Sequence, residues 1–273
     1  MSLIIALYVP EGIVISGDSR MTLNWSERNA KNDEIHYSIN GSDTNSKIFS
    51  IKEKFGIATF GAADINGVPI AGFINQFIEE KIEDSTEIDE IPTKLHEFFG
   101  DKHKHPAVNF YVAGYKMENG ISIQHVYFVN IERKTKSRVN QAMGKPYFGA
   151  NWGGETEILS RLIQNVKLKI GNEWKEINVS PIPYNFLTLQ DAIDFCDYGI
   201  RTTIETMRFQ KRAKTVGGAI DIWAGAKKRA PLMIQKVGME WLYRSLYDLS
   251  RAHLIIRHGF SFLKDFIFLN RKI

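Results

Sequence analysis

Cysteine is nearly absent from this sequence of 273 residues, in which Cys196 is the single example. One thiol excludes an internal disulfide and a cysteine-based metal cluster. It fits a reducing compartment, so we expect a cytoplasmic location. Long apolar runs are also missing, because the longest, residues 254–269, contains charged side chains. A membrane-spanning helix is therefore not expected, and no basic region precedes the apolar start as a secretory signal requires.

The histidines supply no recognisable metal-ligand spacing. His36, His103, His105 and His125 are scattered through the chain without the intervals of a zinc site. We therefore expect no metal and no cofactor. No nucleic-acid-binding motif is present either, so nucleic acid is not an expected partner.

Charge divides the chain into two unequal parts. The whole sequence carries a net charge of +4. Residues 220–273 hold ten Lys and Arg against four Asp and Glu, a net +6, which leaves about −2 for the rest. A weakly acidic body with a basic end indicates two functional parts.

The body, with its ordinary globular composition, predicts an α+β fold of segregated strands and helices. A buried hairpin is expected over residues 3–16, with a turn at 10–12. Residues 22–46 are polar and predict a long loop or a small insertion. The remaining expectations are strands at 47–51, 55–60, 107–115, 121–130, 135–143 and 216–222, helices from 64, at 86–100, 155–166 and 188–209, and a Gly-rich turn at 149–154.

Ser2 and three short motifs stand out early in the chain. Ser2 follows the initiator Met, Gly17-Asp18-Ser19-Arg20 ends the hairpin, Lys47-Ile48-Phe49 begins a strand, and Phe60-Gly61-Ala62-Ala63-Asp64 precedes a helix. This arrangement resembles the start of a proteasome β-subunit, and the resemblance extends over residues 1–222. It implies a four-layer αββα sandwich of the N-terminal-nucleophile (Ntn) hydrolase type.

The same resemblance implies a chemistry. Removal of Met1 would expose Ser2 as nucleophile, with its own α-amine as base. Lys47 would lower the pKa of the hydroxyl, Asp18 would hold Lys47, and the Gly61 N–H would stabilise the oxyanion. We therefore expect a peptidase-like hydrolase that cleaves amide bonds in a peptide substrate and forms a homo-oligomer, such as a ring.

Two departures from the active family keep a second hypothesis open. The family's later Ser and Asp fall near Asn151 and Ala213, where neither type stands, although Asn151 and Thr215 offer substitute polar groups. The nucleophile is also Ser where the proteasome has Thr. A catalytically inactive subunit with the same fold is the alternative.

The basic end carries a different resemblance. Ala224-Gly225, Lys228-Arg229-Ala230-Pro231, Gly238 and Glu240-Trp241-Leu242-Tyr243-Arg244 are similar to the C-terminal end of WecG/TagA/CpsF-type glycosyltransferases. In that family the end is linked to membrane association, and its basic residues help to hold the diphosphate of the sugar donor. We expect residues 223–273 to form a second, mostly helical part of a fusion. Peripheral contact with a membrane through residues 226–273, or docking on the body or another subunit, are the alternatives for it.

Overall fold

A computed structural model describes the chain over residues 2–29, 31–226 and 229–236. The chain divides into two units, residues 1–235 and 236–273. The fold and the candidate site described below belong to the first unit, and the helices expected after residue 236 lie outside the described residues. In chain order the elements are β1 (Leu3–Val9), β2 (Gly12–Asp18), β3 (Met21–Arg28), β4 (Glu34–Ser42), β5 (Ile48–Ile51), β6 (Phe55–Gly61), β7 (Asp64–Ile65), β8 (Val68–Pro69), α1 (Ile70–Lys81), α2 (Ile91–His103), β9 (Val108–Glu118), β10 (Ile121–Asn130), β11 (Thr135–Arg138), β12 (Gln141–Ala142), β13 (Lys145–Pro146), β14 (Gly149–Gly154), α3 (Glu157–Ile163), β15 (Val166–Ile170), β16 (Glu173–Ile177), α4 (Leu189–Arg208), β17 (Ile220–Ala226) and β18 (Arg229–Lys236).

Two five-stranded sheets organise the body. The first has the order β14-β1-β2-β17-β18, and the second has the order β11-β10-β9-β6-β5. Four two-stranded ribbons accompany them, namely β3–β4, β7–β8, β12–β13 and β15–β16. The N-terminal hairpin is confirmed: β1 and β2 are buried throughout, as their near-continuous apolar sequence predicts.

Two apolar cores hold these elements together. One core joins the sheets, because Ile4 and Ile15 of the first sheet pack with Ala58 and Tyr111 of the second. Trp223 of β17 belongs to the same core and is completely buried. The other core joins the helices α1 and α2 to the strands β6 and β9 of the second sheet. Burial of this apolar surface is the main force that fixes the two sheets and the helices in place.

Helix α4 covers the first sheet and confirms a sequence prediction in detail. Its N-cap Thr188 accepts a hydrogen bond from the backbone N–H of Asp191, and the Asp191 carboxylate accepts one from the Thr188 backbone. This reciprocal pair is a capping box, and it starts the helix close to the predicted residue 188. The helix contacts β1, β2 and β17, and Cys196 lies in its buried face.

Four local predictions were wrong, each because strand pairing overrode local composition. Residues 22–46 contain the ribbon β3–β4, so the prediction of a long loop was wrong, while the alternative of a small insertion stays a prediction. Asn66-Gly67 forms a two-residue turn between β7 and β8, so α1 begins at Ile70 instead of Asp64. Residues 149–154 form β14 beside β1 instead of a turn. Residues 229–236 form the strand β18, where a helix was expected.

The Gly-rich sequence of β14 has a packing reason. A side chain at Gly153 would overlap the ring of Phe60, and one at Gly154 would overlap the carbonyl oxygen of Ser2. Glycine inside a strand often marks such a close approach. The four-layer αββα sandwich of the Ntn type stays a prediction. The domain limits 1–222 and 223–273 also stay a prediction. Strand β17 crosses the limit between residues 222 and 223.

Candidate functional site around the buried Asp18–Lys47 pair

Asp18 is the most heavily bonded polar side chain of the candidate site. It stands at the end of β2 and is completely buried. Its Oδ1 accepts hydrogen bonds from Lys47 Nζ at 2.9 Å and from the Leu3 backbone N–H at 3.0 Å. Its Oδ2 accepts from the backbone N–H groups of Gly217 at 3.0 Å and Arg20 at 3.2 Å. Charge-assisted bonds of this kind offset the cost of burying the carboxylate.

Lys47 brings a buried positive charge to the same place. It directly precedes β5, and only 4% of its surface is exposed. Burial lowers the pKa of the Lys47 ammonium, while the charges of Asp18 and Asp221 act in the opposite direction. The carboxylate of Asp18 therefore fixes the position of the Lys47 side chain and favours its charged form.

Ser2 and Gly61 line the same cleft as Lys47. This cleft is small, with a cavity volume of about 20 Å³, and is lined by Ser2, Lys47 and Gly61, among others. The Ser2 carbonyl accepts a hydrogen bond from the Glu155 backbone N–H at 2.7 Å, which ties it to the end of β14. Gly61 has a φ of 112° and approaches the Ala107 carbonyl closely, so a side chain does not fit there. Three of the four predicted site residues thus line one cleft. The fourth, Asp18, accepts a hydrogen bond from Lys47.

Two hydroxyl groups of the cleft were missed by the sequence analysis. Thr22 is 5% exposed and Thr59 is 2% exposed, and both line the cleft. Neither hydroxyl oxygen has a hydrogen-bond partner among the described residues. No motif marked them, because a threonine in a strand is ordinarily a β-branched packing residue.

A second ion pair borders the cleft. The guanidinium of Arg20 donates to both carboxylate oxygens of Asp43, at 2.5 and 2.6 Å, and also to the Lys214 carbonyl at 3.1 Å. The bond to Arg20 lowers the pKa of Asp43. Bidentate geometry makes this a strong pair that links the loop after β4 to the segment before β17.

The substitute polar groups do not all reach Ser2. The side chain of Asn151 donates to the Tyr8 hydroxyl at 2.7 Å, and its backbone pairs with Ala6, so its proposed role beside Ser2 was wrong. Glu155, the residue directly after β14, forms an ion pair with Arg212 at 2.5 Å. Thr215 is buried, with no partner for its hydroxyl among the described residues.

The described part of the chain contains no cluster of three or more His, Cys, Asp or Glu side chains placed to hold a metal ion. None of its helices has both the length and the apolar character needed to cross a membrane.

Comparison with known proteins points to the C-terminal segment. The model of the WecG/TagA/CpsF glycosyl transferase family matches residues 202–271. These residues include the end of α4 and the strands β17 and β18. The match confirms the resemblance predicted for the basic end, and it begins earlier in the chain than expected.

Curated relatives give the same result. N-acetylglucosaminyldiphosphoundecaprenol N-acetyl-beta-D-mannosaminyltransferases from Staphylococcus aureus strains NCTC 8325 / PS 47, COL and MRSA252 are each 53% identical to this chain over 36 residues. That stretch is 13% of this chain and 14% of each relative. The chain therefore spans about one seventh of the length of these relatives.

These findings overturn the predicted activity. The matched family and the named relatives transfer glycosyl groups, and peptide hydrolysis is not among their named activities. The prediction of a peptidase-like hydrolase was therefore wrong, because it rested on the resemblance of residues 1–222 to another family and on the arrangement of Ser2, Asp18, Lys47 and Gly61. Such an arrangement of a buried ion pair and a cleft has a structural role in many proteins and does not define a reaction.

Proposed function

We propose that this protein takes part in glycosyl transfer at a membrane surface, and that residues 202–271 contact a polyprenyl-diphosphate-linked saccharide. The match of this segment to the WecG/TagA/CpsF family carries the proposal. The named relatives act on N-acetylglucosaminyldiphosphoundecaprenol, in which a saccharide is joined to a lipid through a diphosphate. The proposed ligand of this chain has the same chemistry.

The charge of the segment suits such a ligand. Residues 220–273 carry a net +6. A diphosphate is an anion that Lys and Arg side chains bind by charge-assisted hydrogen bonds. The same cations are attracted to anionic lipids, by about 1 kcal/mol for each Lys or Arg near the surface. A basic segment therefore favours both the lipid surface and the diphosphate.

The body has a separate proposed role as a non-catalytic scaffold. We propose for residues 1–222 the four-layer αββα sandwich of the Ntn type. The apolar core shared by the two sheets and the helix α4 on the first sheet support this proposal. Strand β17 belongs to the first sheet and also to the matched segment, so the body would anchor the start of that segment.

Vesicle co-sedimentation of the full chain tests the proposal. Phosphatidylcholine vesicles would carry either N-acetylglucosaminyldiphosphoundecaprenol or an equal charge of phosphatidylglycerol. We expect stronger binding to the vesicles with the lipid-linked saccharide. The triple variant Arg244→Glu, Arg251→Glu, Arg257→Glu should weaken binding roughly 100-fold, from about 1 kcal/mol for each cation.

A matched control reverses the same number of charges elsewhere. Lys167, Lys169 and Lys175 are exposed on the ribbon β15–β16, and their replacement by Glu changes the net charge equally. We expect this control to bind nearly as well as the wild type. Equal losses in the two variants, or equal binding to the two kinds of vesicle, would contradict the proposal. Mass spectrometry of the lipids after incubation with a sugar-nucleotide donor of N-acetylmannosamine then tests transfer itself.

A further inference from the structure

Strand β5 forms one edge of the second sheet. The order β11-β10-β9-β6-β5 gives it β6 as a neighbour on one side and, among the described residues, no strand on the other. Both faces of β5 are buried, because Ile48 packs in the core between the two sheets and Phe49 packs in the core of the helices α1 and α2. The free edge of β5 can therefore meet a ligand chiefly through its backbone groups.

The open side of β5 carries unpaired backbone groups. The Lys47 carbonyl, one residue before β5, accepts a hydrogen bond from the Thr59 N–H of β6 at 2.9 Å. Bonded and non-bonded residues alternate along an antiparallel ladder, so the N–H and C=O groups of Ile48 and Ser50 point away from β6. The backbone of the described residues supplies no partner for these four groups.

A cleft with a volume of about 520 Å³ adjoins this edge. Ligand pockets of proteins commonly have about 300–1,000 Å³. Helix α1 contributes Ala71, Asn75 and Ile78 to its lining, which lie on one side of the helix at intervals of four and three residues. The segment 44–46 and the β5 residues Ile48, Phe49 and Ser50 complete the lining. The cleft therefore offers space beside the residues whose backbone groups are unpaired.

The lining of the cleft selects an uncharged ligand. None of its described side chains is ionisable, so a phosphate would find no cation and a metal ion no carboxylate there. A lipid tail would leave the amides of Asn45 and Asn75 and the hydroxyl of Ser50 without hydrogen bonds. A peptide group is neutral and both donates and accepts, as these amides do.

The spacing along the edge favours a peptide over other uncharged polar ligands. Ile48 and Ser50 are two residues apart, a distance of about 6.7 Å along a strand. A second extended chain presents its own N–H and C=O groups with the same repeat. A sugar ring has no such repeat of alternating donors and acceptors.

We propose that the edge of β5 and the cleft beside it bind an extended, uncharged peptide segment of a partner protein, which adds a strand to the second sheet. Backbone hydrogen bonds to Ile48 and Ser50 supply the affinity of such strand addition, and the cleft supplies the specificity. Small or apolar side chains of the segment face Ala71 and Ile78 of α1. The site lies within residues 44–78 and is separate from residues 202–271, for which the lipid-linked saccharide is proposed.

An NMR titration of the isotope-labelled full chain, followed through its backbone amide signals, tests the site. The probe is the capped peptide acetyl-Ser-Val-Thr-Ala-Ser-Val-amide, which is uncharged and contains β-branched residues that favour an extended chain. We expect saturable shifts of the Ile48 and Ser50 amide signals. The same peptide with N-methyl groups on its third and fourth residues lacks a donor on each edge and should bind roughly tenfold more weakly.

Two pairs of variants locate the binding on the protein. Ser50→Pro removes an N–H that points away from β6, a place where an edge strand tolerates proline, and should weaken binding roughly tenfold. The control Ser50→Ala keeps that N–H and should bind within about twofold of the wild type. If proline disturbs the sheet, Asn75→Trp obstructs the cleft from α1 and should weaken binding. Its control, Gln76→Trp, changes an exposed neighbour outside the lining and should not.

Three results would overturn the proposal. One is the absence of shifts at about 1 mM peptide, since any uncharged extended segment can make the backbone bonds. Another is equal binding of the parent and the N-methylated peptide, or of the two variants in each folded pair. The third is a shift of the Ile48 and Ser50 signals on dilution of the protein alone, which would assign the edge to a second copy of the chain.

Discussion

Replacement of Asp18 by Asn should destabilise the body strongly, because Asp18 neutralises a buried cation and accepts four hydrogen bonds. Lys47 is 4% exposed, so its charge would lose its closest partner and gain little contact with water. Breaking a buried ion pair at one partner typically costs 3–5 kcal/mol. Asp221 also attracts Lys47, which places our expectation near the lower end, at about 3 kcal/mol.

Replacement of Lys47 by Met should cost less. Met has a similar length and no charge, and Asp18 keeps its three bonds from the backbone N–H groups of Leu3, Arg20 and Gly217. We expect a loss of about 2 kcal/mol, since a hydrogen bond to a charged group contributes roughly 1.5–3 kcal/mol. The double variant Asp18→Asn, Lys47→Met should be at least 1 kcal/mol more stable than the sum of the single losses predicts, because neither charge is then left alone.

Urea unfolding followed by far-ultraviolet circular dichroism measures these free energies. The exposed pair Lys52–Asp84, with an N–O distance of 2.7 Å, is the matched control. Its variants Asp84→Asn and Lys52→Met should each change stability by less than about 1 kcal/mol, since water screens the pair. If Asp18→Asn costs no more than Asp84→Asn, or if the buried pair shows no coupling, the reasoning about burial is refuted.

Two further predictions concern the same region. Burial lowers the pKa of Lys47 below the ordinary value of 10.5, so the unfolded state binds more protons between the two pKa values. The unfolding free energy of the wild type, relative to that of Lys47→Met, should therefore rise with pH in that window by at most 1.36 kcal/mol per pH unit. If the wild type and Lys47→Met showed the same pH dependence, the pKa shift would be contradicted. Gly154→Ala would force a side chain against the Ser2 carbonyl at a φ of 91°, so it should lower the unfolding free energy by more than about 3 kcal/mol. The control Gly171→Ala has a φ of 64° and open space around it, so it should lower the unfolding free energy by about 1 kcal/mol. Equal urea midpoints for the two glycine variants would show that the contact with Ser2 does not restrict this position.

Local sequence signals were sufficient where one element carried its own pattern. The hairpin β1–β2 follows from two apolar runs around a Pro-Glu-Gly turn, and α4 follows from its capping box at Thr188. The pairs of β3–β4 were also visible as alternating apolar residues, such as Leu23 and Trp25. The high content of Asn, Ser and Asp obscured that alternation.

Long-range contacts decided what local composition did not. Gly149–Gly154 has the composition of a turn, and it is a strand because β1 supplies the hydrogen-bond partners and because Phe60 and Ser2 leave no room for side chains. The unpartnered hydroxyls of Thr22 and Thr59 meet in one cleft although 36 positions separate them in the chain. No spacing rule predicts such a meeting.

The sequence by itself determined the basic C-terminal segment, its resemblance to a glycosyltransferase family, and the hairpin and capped helix of the body. These are properties of neighbouring residues, since charge density, motif spacing and periodicity are all read along the chain. Only the tertiary structure decided that Lys47 is buried against Asp18, that Asn151 bonds to Tyr8 and not to Ser2, and that the ribbon β3–β4 leaves an apolar face open. The physical reason is that burial and partner choice depend on residues distant in sequence, whose approach is fixed when the two sheets pack together.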